Sequence, residues 1–285
     1  MSRTPRERIL ATLAELSPKQ RRLARFFLDH EAELAFASVN HISERAGASP
    51  ATVVRFSQAL GYEGYTDLQA AVRLQLPQYR TFAQKLADQM ANGGFSDKLP
   101  TQIAEANGQN IQTTLSQVSG SELSQAAEAI IQADTIHIFG SGLSAATATL
   151  AEYALTMLGL PAQACLNGGV TQALEVARLN RNDLVMVITI WRYLRHEVEA
   201  VKAARALGVP CLVITDSPVS PVAELADHLF LAATEGAAHS RSLTGIISLI
   251  DLLSAAIAAK RPQESMAALQ KIDKLYRDYG MLWGD

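Results

Sequence analysis

Residues 38–61, SVNHISERAGASPATVVRFSQALG, constrain the fold more than any other stretch of this chain. Val39, Ile42 and Ala46 recur at i, i+3 and i+7, one face of a short helix. Gly47 follows, the residue type that most easily takes a left-handed turn. Ser49 then offers a side-chain oxygen to cap a second helix, and Pro50 suits its first position. In that helix Val53, Phe56 and Leu60 form an inward stripe, and Gly61 ends it. The opposite face carries Ala51, Thr52, Arg55 and Gln58. The pattern is a helix-turn-helix; the same spacing also suits a plain helix pair in a bundle.

A helix that reads DNA needs this division of labour. Its inner stripe fixes it on its partner helix, and its outer face presents short or hydrogen-bonding groups near the N-terminus, where it enters the major groove. Thr52 can exchange hydrogen bonds with a base edge or touch a thymine methyl, and Arg55 can fork onto guanine O6 and N7. Ser49, Ala51, Thr52, Arg55 and Gln58 are therefore the expected DNA-contacting set.

The wording of the segment goes further. The run from Leu16 to Arg73, with SPATVVRFSQALGYEGYTDLQ at its centre, resembles the N-terminal domain of the RpiR family of bacterial transcriptional regulators. In that family this domain precedes a sugar isomerase (SIS) domain that senses a phosphosugar or a related sugar derivative. The resemblance covers nearly all of the first 76 residues.

Charge distribution agrees with such a division. The chain of 285 residues carries a net charge of −3, but residues 1–76 hold ten Lys/Arg against eight Asp/Glu, and the remainder fifteen against twenty. A weakly basic front on an acidic back fits a DNA-binding head on a body that does not bind DNA. The two cysteines, Cys165 and Cys211, sit in short apolar runs and read as free core thiols, which suits a reducing cytoplasm. MSRTPRERIL has no apolar stretch for a signal peptide, and residues 243–259 are too short for a membrane helix and include Asp251.

Around the helix-turn-helix, residues 6–16 read as a basic helix, and Pro18 opens another with Leu23, Phe26 and Phe27 on its apolar side. Lys19, Arg21, Arg22 and Arg25 beside it read as a solvated face, with phosphate contact as the alternative. Tyr62 and Tyr65 flank Gly64; packing at the end of the second helix is expected, or a hydroxyl reaching a phosphate. Pro77 closes the domain. In residues 78–120, Asn92, Gly93 and Gly94 separate a short helix from a longer one over 98–118, whose Ile103, Ile111 and Leu115 are expected to lie against the second domain.

From residue 122 the rhythm becomes alternating helix and strand. Strands are expected over 135–139, 162–166, 184–190, 211–215 and 228–231, and helices over 122–132, 145–158, 170–178, 197–207 and 242–259. The continuous apolar run 184–190 marks a central strand covered on both faces. Such alternation argues a parallel sheet flanked by helices, with ligands at the carboxyl ends of its strands.

The turn Gly140, Ser141, Gly142, Leu143, Ser144 joins a strand to a helix. Its glycines let the backbone approach an anion, the helix N-terminus supplies free N–H groups, and Ser141 and Ser144 add hydroxyls. It lacks the third glycine of the dinucleotide fingerprint, which argues against NAD. The turn resembles the first motif of SIS domains, and residues from about 125 to 260, including ITDSPVSPVAELADHLFLA, share the SIS layout. The second motif departs from that pattern. Where the family places Ser-x-Ser-Gly-x-Thr, this chain has Thr189, Ile190, Trp191, Arg192, Tyr193 and Leu194, and only Thr189 keeps a hydroxyl at a matching place. Arg192 and Arg195 can hold an anion with guanidinium groups instead, beside the flat face of Trp191; a collapsed pocket with both arginines solvated is the alternative.

A sugar isomerase needs a positioned base. His196, His239, Glu175 and Glu152 are available, but no spacing among them demands catalysis. The expectation is therefore a two-domain chain: an all-α helix-turn-helix head (1–77), connecting helices (78–120) and an α/β SIS domain with a five-stranded parallel sheet (121–285). It would act as a cytoplasmic DNA-binding regulator, a homodimer or homotetramer with no membrane anchor. It would use no catalytic residue, metal or cofactor. It would respond to an anionic sugar derivative bound by Gly140, Ser141, Gly142, Ser144, Thr189, Arg192 and Arg195. The alternatives are a sugar-phosphate isomerase with an appended helical domain, and a ligand-free scaffold that dimerises the heads.

Overall fold

The computed structural model describes residues 4–13, 16–76, 81–91, 97–237 and 239–283. Pro77 and the break at Asn92, Gly93 and Gly94 lie outside the described residues. The chain divides into two compact units near residue 94.

The head is built from short capped helices. They are α1 (Pro5–Thr12), α2 (Pro18–Asp29), α3 (Glu31–Leu34), α4 (Val39–Arg45), α5 (Pro50–Ala59) and α6 (Tyr65–Gln75). Thr4 with Glu7, and Ser17 with Gln20, form reciprocal capping boxes that satisfy the first free N–H groups of α1 and α2. Ser38 and Ser49 cap α4 and α5 as expected, and Gly47 between them sits at φ +62°. Leu23, Phe27, Ile42, Val53, Phe56 and Leu68 form the buried centre, with Phe27 meeting Phe56 edge-on at 5.4 Å between centroids. Aromatic pairs of this geometry add stabilisation beyond the area they bury.

Of the two expectations for Tyr65, packing holds and phosphate contact does not. Its hydroxyl does not face outward towards a phosphate; it is buried and donates to the carbonyls of Leu34 (3.2 Å) and Ala37 (3.0 Å). Gln69, one turn on, donates to the same two carbonyls, and Arg73 donates to Ala35. One face of α6 thus satisfies the buried carbonyls left free at the end of α3. After the head, α7 (Phe82–Ala91) has no buried residue.

The second unit holds α8 (Leu99–Ser116), α9 (Gly120–Gln132), β1 (Ile136–Phe139), α10 (Ser144–Met157), β2 (Ala162–Cys165) and α11 (Val170–Arg178). It continues with β3 (Leu184–Thr189), α12 (Arg195–Ala206), β4 (Cys211–Thr215), β5 (His228–Leu231), α13 (Thr244–Lys260) and α14 (Pro262–Asp278). All five strands are parallel, in the order β2-β1-β3-β4-β5. Strand positions agree with the sequence to within a residue or so. Two differences matter: α12 begins at Arg195, earlier than expected, and α14 has no counterpart in the sequence reading.

Alternating strand residues build two cores. Ile136, Ile138, Met186, Ile188, Leu212 and Ile214 pack towards α9, α10 and α13. Phe139, Val185, Val187, Cys211 and Val213 pack towards α12. Every residue of β3 is buried, as its unbroken apolar run requires. Both cysteines are free and buried, and burial, with Asp227 nearby, pushes the Cys211 thiol up to about 12.

The face of α8 differs from expectation. Ile103 and Ile111 are 40% and 37% exposed, whereas Asn110 and Thr114 are 2% and 0% exposed. Asn110 exchanges two hydrogen bonds with the Glu235 peptide, Nδ2 to O at 2.7 Å and N to Oδ1 at 3.1 Å. Ala233 N donates to Thr114 Oγ1 at 2.9 Å, and Ser242 Oγ donates to Asn107 Oδ1 at 2.7 Å. The segment between β5 and α13 has no ladder of its own, so its peptide groups bond to α8, and the helix turns its amides inward rather than its isoleucines.

Candidate functional site

At the head, the free end of α5 is its N-terminus. Ser49 Oγ accepts from Thr52 N at 3.3 Å and lies 2.8 Å from Thr52 Oγ1, so cap and threonine share one hydroxyl pair. A hydroxyl has one donor and two acceptor positions, and the pair keeps capacity for an outside partner. Ala51, Arg55 and Gln58 are exposed; Gln58 Nε2 donates to Glu63 O at 3.3 Å. Four of the five expected residues thus lie on or beside the first two turns of α5, with Thr52 half-buried, and Gln58 lies near its C-terminal end.

The other end of α5 is held by a residue that the sequence did not single out. Arg8 donates to Leu60 O (3.1 Å) and Gly61 O (3.3 Å) and stacks 4.7 Å over the Tyr62 ring. A cation at a helix C-terminus answers both the free carbonyls and the helix dipole. Glu33 anchors α4 in a similar way. It takes both Arg45 Nε (3.0 Å) and Nη2 (3.3 Å), with His41 Nε2 at 2.9 Å. Burial pushes its carboxyl up, but the bonds from Arg45 and His41 outweigh this and hold it below the usual range.

In the second unit, the strand order reverses between β1 and β3, the place where open α/β sheets bind ligands. Gly140 leaves β1 so tightly that a Cβ there would come within 2.9 Å of Ala148 Cβ and 3.0 Å of Ser144 O. Glycine is thus required for α10 to start where it does. Ser144, in the first turn of α10, is buried.

The groups that join the two strand ends are Glu197 and His196, in the first turn of α12. Glu197 is 1% exposed. Ser141 N donates to its Oε1 at 2.8 Å and Thr189 Oγ1 donates to its Oε2 at 2.6 Å. His196 Nε2 lies 3.2 Å from Ser141 Oγ, and its ring packs so close to Gly168 that a Cβ there would fall 2.6 Å from Nε2. Burial pushes the Glu197 carboxyl above the ordinary range, against the opposing pull of Thr189, Ser141 and His196. Thr215 lies in register with Thr189 on the neighbouring strand, and its buried hydroxyl has no hydrogen-bond partner among the described residues.

Beside this cluster, Asp216 accepts from Tyr193 OH at 2.6 Å and from Trp191 N at 3.3 Å, and the Trp191 and Tyr193 rings meet edge-on at 6.0 Å. Burial raises the Asp216 carboxyl; Tyr193 and the charge of Arg241 oppose it. Arg192 and Arg195 are exposed, Arg192 on the loop after β3 and Arg195 at the first position of α12. Of the other candidate bases, Glu152 accepts from Ala164 N, Glu175 accepts from Gln163 Nε2, and His239 is exposed before α13. Glu197 was missed because a glutamate in a first helical turn is explained locally by the helix dipole.

Comparison with known proteins follows the same partition. Residues 5–78 match the family described as helix-turn-helix domain, rpiR family, and residues 129–259 match the SIS domain. An HTH-type transcriptional regulator of Caldanaerobacter subterraneus is 24% identical over 275 residues, covering 94% of this chain and 96% of that protein. The sugar isomerase domain of an RpiR transcription factor from Sphaerobacter thermophilus is 38% identical, with a TM-score of 0.61, covering 62% of this chain and 99% of that one. The Vibrio vulnificus NanR protein, solved in complex with ManNAc-6P, is 21% identical with a TM-score of 0.71, covering 97% of this chain and 99% of that one.

Proposed function

Because this chain belongs to the RpiR family of helix-turn-helix transcriptional regulators that carry a SIS domain, we propose that its SIS domain binds a sugar derivative and thereby sets the affinity of the head for operator DNA. The observation that carries this reading is the junction of β1 and β3, where Ser141, Thr189, His196 and Glu197 converge at the switch point of the sheet. A phosphosugar or a sugar acid is the effector class. NanR, which shares the fold, was solved with ManNAc-6P, and here Arg192 and Arg195 offer guanidinium groups to an anion near Trp191. Base reading falls to Thr52, Arg55 and Gln58, with Ser49 and Ala51 at the entry of the helix into the groove.

The working form is a homodimer or homotetramer in the cytoplasm. One helix-turn-helix reads a short half-site, and linked heads gain affinity. Exposed Val170, Leu174 and Tyr153 offer apolar surface for self-association. Among the described residues no helix is long and apolar enough to cross a membrane. The protein acts without catalysis: Glu152, Glu175 and Glu197 each hold a main-chain or side-chain donor of the chain itself, a structural task for each carboxylate.

The test combines operator selection from random DNA with anisotropy titrations in the presence of neutral sugars, sugar acids and phosphosugars. A shift of operator affinity by one of these classes is expected. No shift with any of them would refute effector control, and monomer alone in light scattering, with and without DNA, would remove the oligomer. Robust isomerisation of aldose or ketose phosphates, lost in His196→Ala, would restore the enzyme alternative.

A further inference from the structure

The cradle at the β1–β3 junction is filled by the chain itself. A main-chain N–H (Ser141) and a hydroxyl (Thr189) converge there, the donor types that hold a phosphate oxygen at a helix N-terminus. Their partner is the carboxyl of Glu197, which uses one oxygen for each donor and is shut off from solvent. The neighbouring groups, His196 on Ser141 and the buried hydroxyl of Thr215, are hydrogen-bonding and not fixed positive charges.

We propose that Glu197 converts this end of the site from a phosphate cradle into a hydroxyl reader: the sugar is held here through its hydroxyls, and any phosphate or carboxylate on it lies outside the cradle, on the Arg192 and Arg195 side. The proposal rests on the reading that the SIS domain binds a sugar derivative. A carboxyl already holding Ser141 N and Thr189 Oγ1 retains lone pairs for a ligand hydroxyl, whereas a second anion in its place meets like charge and loses both donors. Trp191 and Leu194 in place of the second serine and the threonine of the 189–194 loop remove two hydroxyls that a phosphate would use. Burial holds the Glu197 proton to higher pH than usual, so the carboxyl also donates to a sugar oxygen as pH falls.

The test is calorimetric titration of inorganic phosphate into the full-length protein at about pH 8, where a carboxyl of ordinary affinity is ionised, using wild type, Glu197→Ala and Glu197→Gln. Glu197→Ala opens the cradle and is expected to bind phosphate at least tenfold tighter than wild type. Glu197→Gln still fills the cradle and is expected to gain less than Glu197→Ala. Equal phosphate affinity in wild type and Glu197→Ala would overturn the proposal, because the carboxyl would then step aside without cost. Should Glu197→Ala fail to fold, sulfate, whose charge is constant over the range, is titrated into wild type and Glu197→Gln as pH is lowered. Affinity is expected to rise more steeply in wild type; parallel profiles, with His196 present in both, would overturn the proposal. Operator release by sugars in wild type is scored separately. Its absence counts against effector control, not against the placement of the anion.

Discussion

Replacing Asn110 by alanine tests whether amide–peptide bonds, rather than apolar contact, fix α8 to the second unit. Asn110 donates to Glu235 O at 2.7 Å and accepts from Glu235 N at 3.1 Å, and it is almost wholly buried. Alanine frees the carbonyl and N–H of Glu235 together. Each bond is worth about 0.5–1.5 kcal/mol net, and Glu235 is exposed enough for water to reach the freed groups. The expected loss is therefore roughly 1–3 kcal/mol rather than the full penalty of two stranded groups. Thr114→Val is close in shape but removes the acceptor for Ala233 N, at a cost of about 1–2 kcal/mol. Ile111→Ala on the exposed side should cost under about 1 kcal/mol. Urea unfolding followed by tryptophan fluorescence reads this unit selectively, because both tryptophans, Trp191 and Trp283, lie in it. Hydrogen exchange of the 233–236 amides should quicken in the same order. If Ile111→Ala costs more than Asn110→Ala, the polar register of α8 is wrong.

Arg55→Ala should cost roughly 1–3 kcal/mol of operator affinity and relax preference at one base pair, read by anisotropy at fixed salt; unchanged binding would displace Arg55 from the interface. Arg8→Ala should destabilise the head by about 1 kcal/mol, by freeing the Leu60 and Gly61 carbonyls, and weaken operator binding without changing base preference. The two units should respond oppositely to acid. The carboxyl of Glu33 is held low, so its contribution is present above the unfolded value near ~4.3 and is lost as pH falls through the lower folded value. That of Glu197 is raised, so its contribution is full below ~4.3 and is lost as pH rises through the folded value. Glu33→Gln should flatten the acid limb of head unfolding, and Glu197→Gln the loss of SIS-unit stability as pH rises above ~4.3; unaltered profiles would refute the assignments.

Much of this molecule is legible because its signals are local. Ser38, Ser49 and Pro50 cap and start helices by chemistry within one turn, and Gly47 supplies the positive φ between them. The strands are legible because a sheet buried on both faces demands unbroken apolar runs. The features that escaped are polar residues for which a local account already sufficed. Asn110 and Thr114 lie off the stripe of Ile103, Ile111 and Leu115 that marks the expected inner face, the Tyr65 hydroxyl has no partner near in sequence, and Glu197 opens a helix like any first-turn acid. Each instead bonds across a long stretch of sequence, Glu197 to Ser141 at a separation of 56 residues. Arg192 stands at a motif position and Arg195 just beyond it, yet both side chains are exposed, and the buried junction belongs to the glutamate that follows them. A charge that solvent can accommodate needs no partner, whereas a carboxyl buried at a strand junction must find donors. The residue that most constrains the ligand here is therefore the one whose burial, invisible in the sequence, obliges it to take the donors a ligand would otherwise use.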